Sequence, residues 1–230
     1  MQTDFALDAD GNVTAATMFL MVHHALRRDL ERLPKALAAL DPKDTRQARL
    51  LAEHWQLYRW ALMDHSVNED DILFPLVLER APEIAPALEA IEQDHEGLEA
   101  QLDEVSRLLQ DLSTPEAIGV ARSTAEELQG FLGRHLDAEE EHIVPVLVER
   151  ITPGELRERQ GQETSDKMKD FEEPPMWLVV TWSEEGVPRE VSDAVVAALP
   201  PHFRDQMAEA FPQWRAEYAD LAAKVWSGVL

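Results

Sequence analysis

Two stretches of the chain repeat one arrangement of chemistry-bearing side chains. HSVNEDDILFP (65–75) and HLDAEEEHIVP (135–145) each place a histidine four residues before a glutamate and ten before a proline. Residues four apart on an α-helix lie one turn apart on one face, about 6 Å along the axis. His65 with Glu69, and His135 with Glu139, therefore each present an imidazole beside a carboxylate. One more histidine precedes each pair, His23 and His95, so that the two copies are offset by 70 residues (65 to 135) and 72 residues (23 to 95). Imidazole and carboxylate together suit iron, manganese or zinc. The chain has no cysteine, which excludes thiolate metal sites, disulfides and cysteine nucleophiles. Four buried imidazoles and two buried carboxylates are costly to desolvate without a compensating positive charge. A pair of metal ions supplies that charge.

The elements that position these residues are helices. Apolar spacing predicts four long amphipathic helices at roughly 13–40, 44–80, 84–111 and 115–150, with start signals at Asp41-Pro42, Thr114-Pro115 and Thr152-Pro153. On the first, His23 shares a stripe with Phe19, Leu26, Leu30 and Leu33 and points inward, while His24 lines up with Arg27, Arg28 and Glu31 and points outward. On the third, His95 falls among Ile91, Leu98, Leu102 and Val105. The second and fourth carry Tyr58, Ala61, His65, Glu69, Ile72 and Leu128, Phe131, His135, Glu139, His142 on their inner faces. The fold class expected is all-α, an up-down-up-down four-helix bundle over residues 1–150, with a helical extension over 151–230 that packs on the bundle or forms an oligomer surface. The extension reads as a short helix, an acidic linker around 163–175, and helices near 190–199 and 201–226. It holds Trp177, Trp182, Trp214 and Trp226, which argues for packing.

The order His23, His65-x-x-x-Glu69, His95, His135-x-x-x-Glu139, with Phe74-Pro75 and Val144-Pro145 behind the two carboxylate turns, resembles the hemerythrin-like, or HHE cation-binding, family over about residues 15–150. VHHALRRDLERLP (22–34) and HLDAEEEHIVP (135–145) resemble an actinobacterial branch whose members carry a helical extension after the bundle. The resemblance implies a non-haem di-iron centre: two iron ions, ahead of manganese or zinc, with an oxo or hydroxo bridge. His23, His65, His95 and His135 are then terminal ligands, and Glu69 and Glu139 are bridges. Six such ligands do not saturate two six-coordinate ions, so positions remain for water, dioxygen or peroxide.

The family's oxygen carriers resemble this chain but use His-x-x-x-His on the third helix and His-x-x-x-x-Asp on the fourth. Here Ile91 stands four before His95, and Glu139 takes the four-residue spacing, with Glu140 at five, about 100° around the helix. These departures weigh against a carrier and towards turnover. His142, one turn past Glu139, is a candidate extra ligand or a hydrogen-bonding neighbour of the centre, opposite Ile72 of the other copy. His54, eleven residues before His65 and about 16 Å along the axis, is a candidate for lining an access route. His24, His202, Asp70, Asp137 and Glu141 read as solvated. Prolines 75 and 145 remove amide donors and favour a kink just past each carboxylate.

The balance of 45 acidic against 21 basic residues, a formal charge of −24, repels nucleic acid and anionic membranes. The apolar run MWLVVTW (176–182) is too short to cross a bilayer. A monomer or homodimer in the cytoplasm fits these features. Three functions compete: a di-iron oxidoreductase acting on hydrogen peroxide or dioxygen by catalase-like or oxidase chemistry, a module that binds or senses oxygen, nitric oxide or iron without turnover, and a metal-free structural bundle.

Overall fold

The computed structural model describes residues 5–162, 166–168 and 172–229. The bundle is built from α1 (Thr17–Ala39), α2 (Thr45–Asn68), a π-helical turn (Glu69–Leu73), α3 (Phe74–Arg80), a 3₁₀ turn (Pro82–Ile84), α4 (Ala85–His95), α5 (Leu98–Leu108), α6 (Pro115–His142) and α7 (Val144–Glu149). Going round the bundle, α1 packs on α2, α2 on α5, α5 on α6 and α6 on α1. The fold is an all-α helical bundle with further helices at its carboxyl end. The Thr114 hydroxyl caps α6 by accepting the Ala117 amide, with Pro115 at the first helical position. The second helix is capped by Asp44, whose carboxylate accepts the Gln47 amide; Asp41, expected as the start signal, instead stabilises the preceding turn by accepting the Lys43 amide.

Three of the four long helices are interrupted, each near the chemistry. After Asn68 the backbone underwinds, so that the Phe74 amide bonds to the Glu69 carbonyl five residues back. Pro75 follows, and its missing amide leaves the Asp71 carbonyl without the usual helical donor. The third helix breaks at Glu96–Gly97 directly after His95. The fourth breaks at Ile143, two residues before Pro145.

The buried apolar residues form two clusters. On α1 one cluster ends at Met21 and the other begins at Ala25, and His23 lies between. Along α2 and the π turn the change falls between Leu62 and Leu73, along α4 and α5 between Ile91 and Leu98, and along α6 between Leu136 and Ile143. His23, His65, Glu69, His95 and Glu139 sit in this gap, and His135 stands at its edge beside Leu136. The bundle is thus two apolar layers enclosing one polar layer.

The extension comprises α8 (Pro153–Gln162), a 3₁₀ turn (Asp166–Met168), α9 (Met176–Glu184), α10 (Arg189–Ala197) and α11 (Pro201–Val225). Part of the expected acidic linker, residues 163–165 and 169–171, lies outside the described residues. The helix α9 was not foreseen: a short apolar run rich in Val and Trp has no period that separates strand from helix. It packs on α1, and α11 packs on both α9 and α2. Trp182, Tyr218, Ala222, Val225 and Trp226 join the same apolar cluster as the bundle.

Candidate metal centre

The polar layer brings six side chains together. The Nε2 atoms of His23 (α1) and His65 (α2) lie 3.0 Å apart, and those of His95 (α4) and His135 (α6) lie 3.1 Å apart. Glu69 sets Oε1 3.3 Å from His65 Nε2 and Oε2 3.7 Å from His95 Nε2. Glu139 sets Oε2 3.3 Å from His23 Nε2 and Oε1 2.8 Å from His135 Nε2 and 3.7 Å from His95 Nε2. Each carboxylate therefore gives one oxygen to each histidine pair. Two groups with atoms close enough to hold a metal ion result, His23–His65–Glu69–Glu139 and His95–His135–Glu139.

The donor set fits a cation. All four oxygens of Glu69 and Glu139 are buried without a hydrogen-bond donor among the described residues, although the imidazole nitrogens lie within ion-pair distance. Nitrogens and oxygens crowd together without forming donor–acceptor pairs, which is the relation of ligands around a shared positive charge. The outer nitrogens point the same way. His23 Nδ1 lies 2.9 Å from Glu140 Oε1 and His95 Nδ1 2.9 Å from Asp70 Oδ1. A proton on each Nδ1, donated to its carboxylate, leaves a lone pair on Nε2 facing inward. His135 Nδ1 has Asp94 Oδ2 at 3.4 Å. Arg27 steadies Glu140 at 3.0 Å and donates also to the Gly133 carbonyl.

Electrostatics show what the protein alone must do with these charges. Burial, then the charge of Glu139, pushes the Glu69 carboxyl well above its usual range. Burial opposes ionisation of Glu139 too, but His135 and His95 hold its carboxyl far below that range. His65 is brought down to about 3 by burial and by neighbouring His23. For His95 burial is outweighed by Asp70 and Glu139, which raise it to about 9. One carboxylate is thus balanced by imidazolium and the other by a proton, a balance that cations would replace.

Several sequence expectations are corrected. His54 lines no route to the centre: its Nε2 is 2.7 Å from buried Asp29 Oδ2, and its ring meets Trp226. His142 is half-buried and joins neither ligand group, because the helix breaks at Ile143 and it is Ile143 that is fully enclosed. Ile72 and His142 are therefore not interior counterparts. His24 and Arg28 are not solvated, since the extension covers them: His24 Nε2 lies 3.2 Å from the Glu185 carbonyl, and Arg28 donates to the Trp182 and Glu185 carbonyls. Asp70, read as solvated, reaches His95. His202 is exposed. Sequence reasoning missed Asp29, which is buried and accepts from Arg28, His54 and Trp182; a carboxylate three residues after Leu26 and four before Leu33, on an apolar stripe, was the available signal.

Comparison with known proteins agrees with this geometry. A stretch of 150 residues is 27% identical to zinc finger protein BRUTUS of Arabidopsis thaliana, covering 64% of this chain but only 12% of that much longer protein. No solved structure matches. The family model described as the hemerythrin HHE cation binding domain matches residues 14–147, the span that holds every residue of the polar layer. The chain belongs to the hemerythrin HHE cation-binding family.

Proposed function

We propose that this chain is a non-haem di-iron protein that reacts with hydrogen peroxide or dioxygen. In this reading His23 and His65 hold one iron, His95 and His135 the other, and Glu69 and Glu139 bridge them. The observation that carries it is the span of each carboxylate across both histidine pairs. Bound iron supplies Lewis acidity and one-electron redox chemistry to a small ligand. The chain's own contribution is positional. Glu140 and Asp70 fix the tautomer and ring orientation of His23 and His95 through their Nδ1 protons. Phe19, Phe74 and Phe131 pack on the imidazoles and limit water around them. His95 lines an acidic cavity of about 430 Å³ with Asp70, Glu89, Glu92 and Glu96. That lining favours small neutral ligands over anions. The bundle to about residue 150 carries the centre, and residues 151–230 cover one side of it.

Metal content per chain and peroxide consumption test the proposal together. About two irons per chain are expected, with peroxide turnover abolished in His65→Ala and Glu69→Ala. A site that stays empty or takes only zinc in iron-supplied protein would overturn it. Reversible spectral change on oxygenation without turnover would move the reading to binding or sensing.

A further inference from the structure

Tyr58 lies seven residues before His65 on α2, about 10 Å along the axis and within roughly 20° of the same face. It is 1% exposed, and its hydroxyl has no hydrogen-bond partner among the described residues. Phenylalanine would serve a purely apolar role there without stranding a polar atom. Tyr58 lines a cavity of about 10 Å³ shared with Asp29, His54 and Trp226. That is room for one water molecule with polar partners on several sides. Trp226 Nε1 is likewise buried without a partner among the described residues, so a water there would accept from the phenol and the indole and donate to Asp29. Asp29 Oδ2 already takes His54 Nε2 at 2.7 Å and Trp182 Nε1 at 2.8 Å. On its other side Tyr58 stacks on Trp55, with ring centroids 4.9 Å apart and planes 14° from parallel.

We infer that Tyr58 is an internal one-electron donor to the metal centre, with the Asp29–His54 pair, reached through a water in the shared cavity, as its proton acceptor. The inference rests on the di-iron reading above. The electron leaves the phenol for iron oxidised by hydrogen peroxide, reducing that iron by one. The phenol O–H bond breaks, its proton passes to the cavity water, and the water gives one up to the Asp29–His54 pair. A neutral phenoxyl radical remains, and the stacked Trp55 ring offers the oxidising equivalent a way outward. Burial and the nearby Asp29 charge push the Tyr58 phenol well above its usual range, so the resting group stays protonated and must lose proton and electron together.

Full-length protein loaded with iron, its stoichiometry verified, is mixed with hydrogen peroxide and frozen at intervals for electron paramagnetic resonance. A tyrosyl signal is expected in the wild type and is lost in Tyr58→Phe, which keeps the ring, the fold and the iron content. In Trp55→Phe the signal is expected to persist longer. An unchanged radical signal in Tyr58→Phe overturns the inference. So does iron oxidation in the wild type with no protein radical. Failure of peroxide to oxidise the iron at all would instead defeat the reading of the centre itself, and this inference with it.

Discussion

Glu140 and Asp70 occupy the same place in the two copies of the repeat, one residue after Glu139 and Glu69, and each receives the outer nitrogen of a histidine from another helix. Glu140→Ala and Asp70→Ala are each expected to weaken metal binding about 10- to 100-fold while leaving the ligands in place; competition against a chelator measures it. A straight helix turns both side chains off the ligand face, which is why Asp70 read as solvated. Position-by-position comparison of the copies was the better guide, because it pairs Asp70 with Glu140. Asp29 makes a separate prediction. Burial disfavours its charge, but Arg28, His54 and Trp182 hold the carboxyl well below its unfolded range. A depressed carboxyl stabilises the fold fully above about pH 4 and loses that contribution as pH falls through the folded value. Asp29→Asn should therefore cost about 3 kcal/mol near neutrality by leaving Glu185 as the counter-charge of buried Arg28, and should flatten the loss of stability on acidification below pH 4, both read from denaturant titrations across pH.

At the scale of elements, the existence and inner faces of the four bundle helices were legible because a buried stripe imposes its period on the sequence. Their interruptions were legible only in part. The prolines marked where two helices break, but whether a lost amide bond is absorbed by a π turn, as at Glu69–Leu73, or by a break, as at Ile143, depends on packing against neighbouring helices. The break after His95 carries no proline, only Gly97. Within α6, away from these breaks, Gly119 is in helical conformation with open space where a Cβ would stand. Gly119→Ala is expected to raise stability by about 0.5–1 kcal/mol without altering metal content, as measured by the denaturant midpoint at unchanged slope.

On the scale of the whole molecule, the extension is part of the core. His24 and Arg28 were misjudged from sequence because what covers them arrives more than a hundred residues later, and His54 because its partner Asp29 lies on another helix; no local pattern encodes either. The fit is close at Gly186, whose φ of +82° favours glycine and whose Cβ would come within 2.9 Å of His24 Nε2. Truncation after Thr152 should expose the apolar cluster otherwise sealed by Trp182, Tyr218 and Trp226 and remove the Trp182 donor from Asp29. Loss of soluble, cooperatively melting protein is expected, assayed by sedimentation and thermal scanning; a truncated chain that stays soluble and melts like the full one would contradict it. The crossing of Glu69 and Glu139 between the two histidine pairs has a consequence for ancestry. Neither repeat contains a finished site, since each lends its carboxylate to the other. A half-length forebear could have made this centre only as a pair of identical chains. The two halves differ where Asp94 precedes His95 but Val22 precedes His23. Separately expressed halves should accordingly be metal-free alone and recover the centre when mixed.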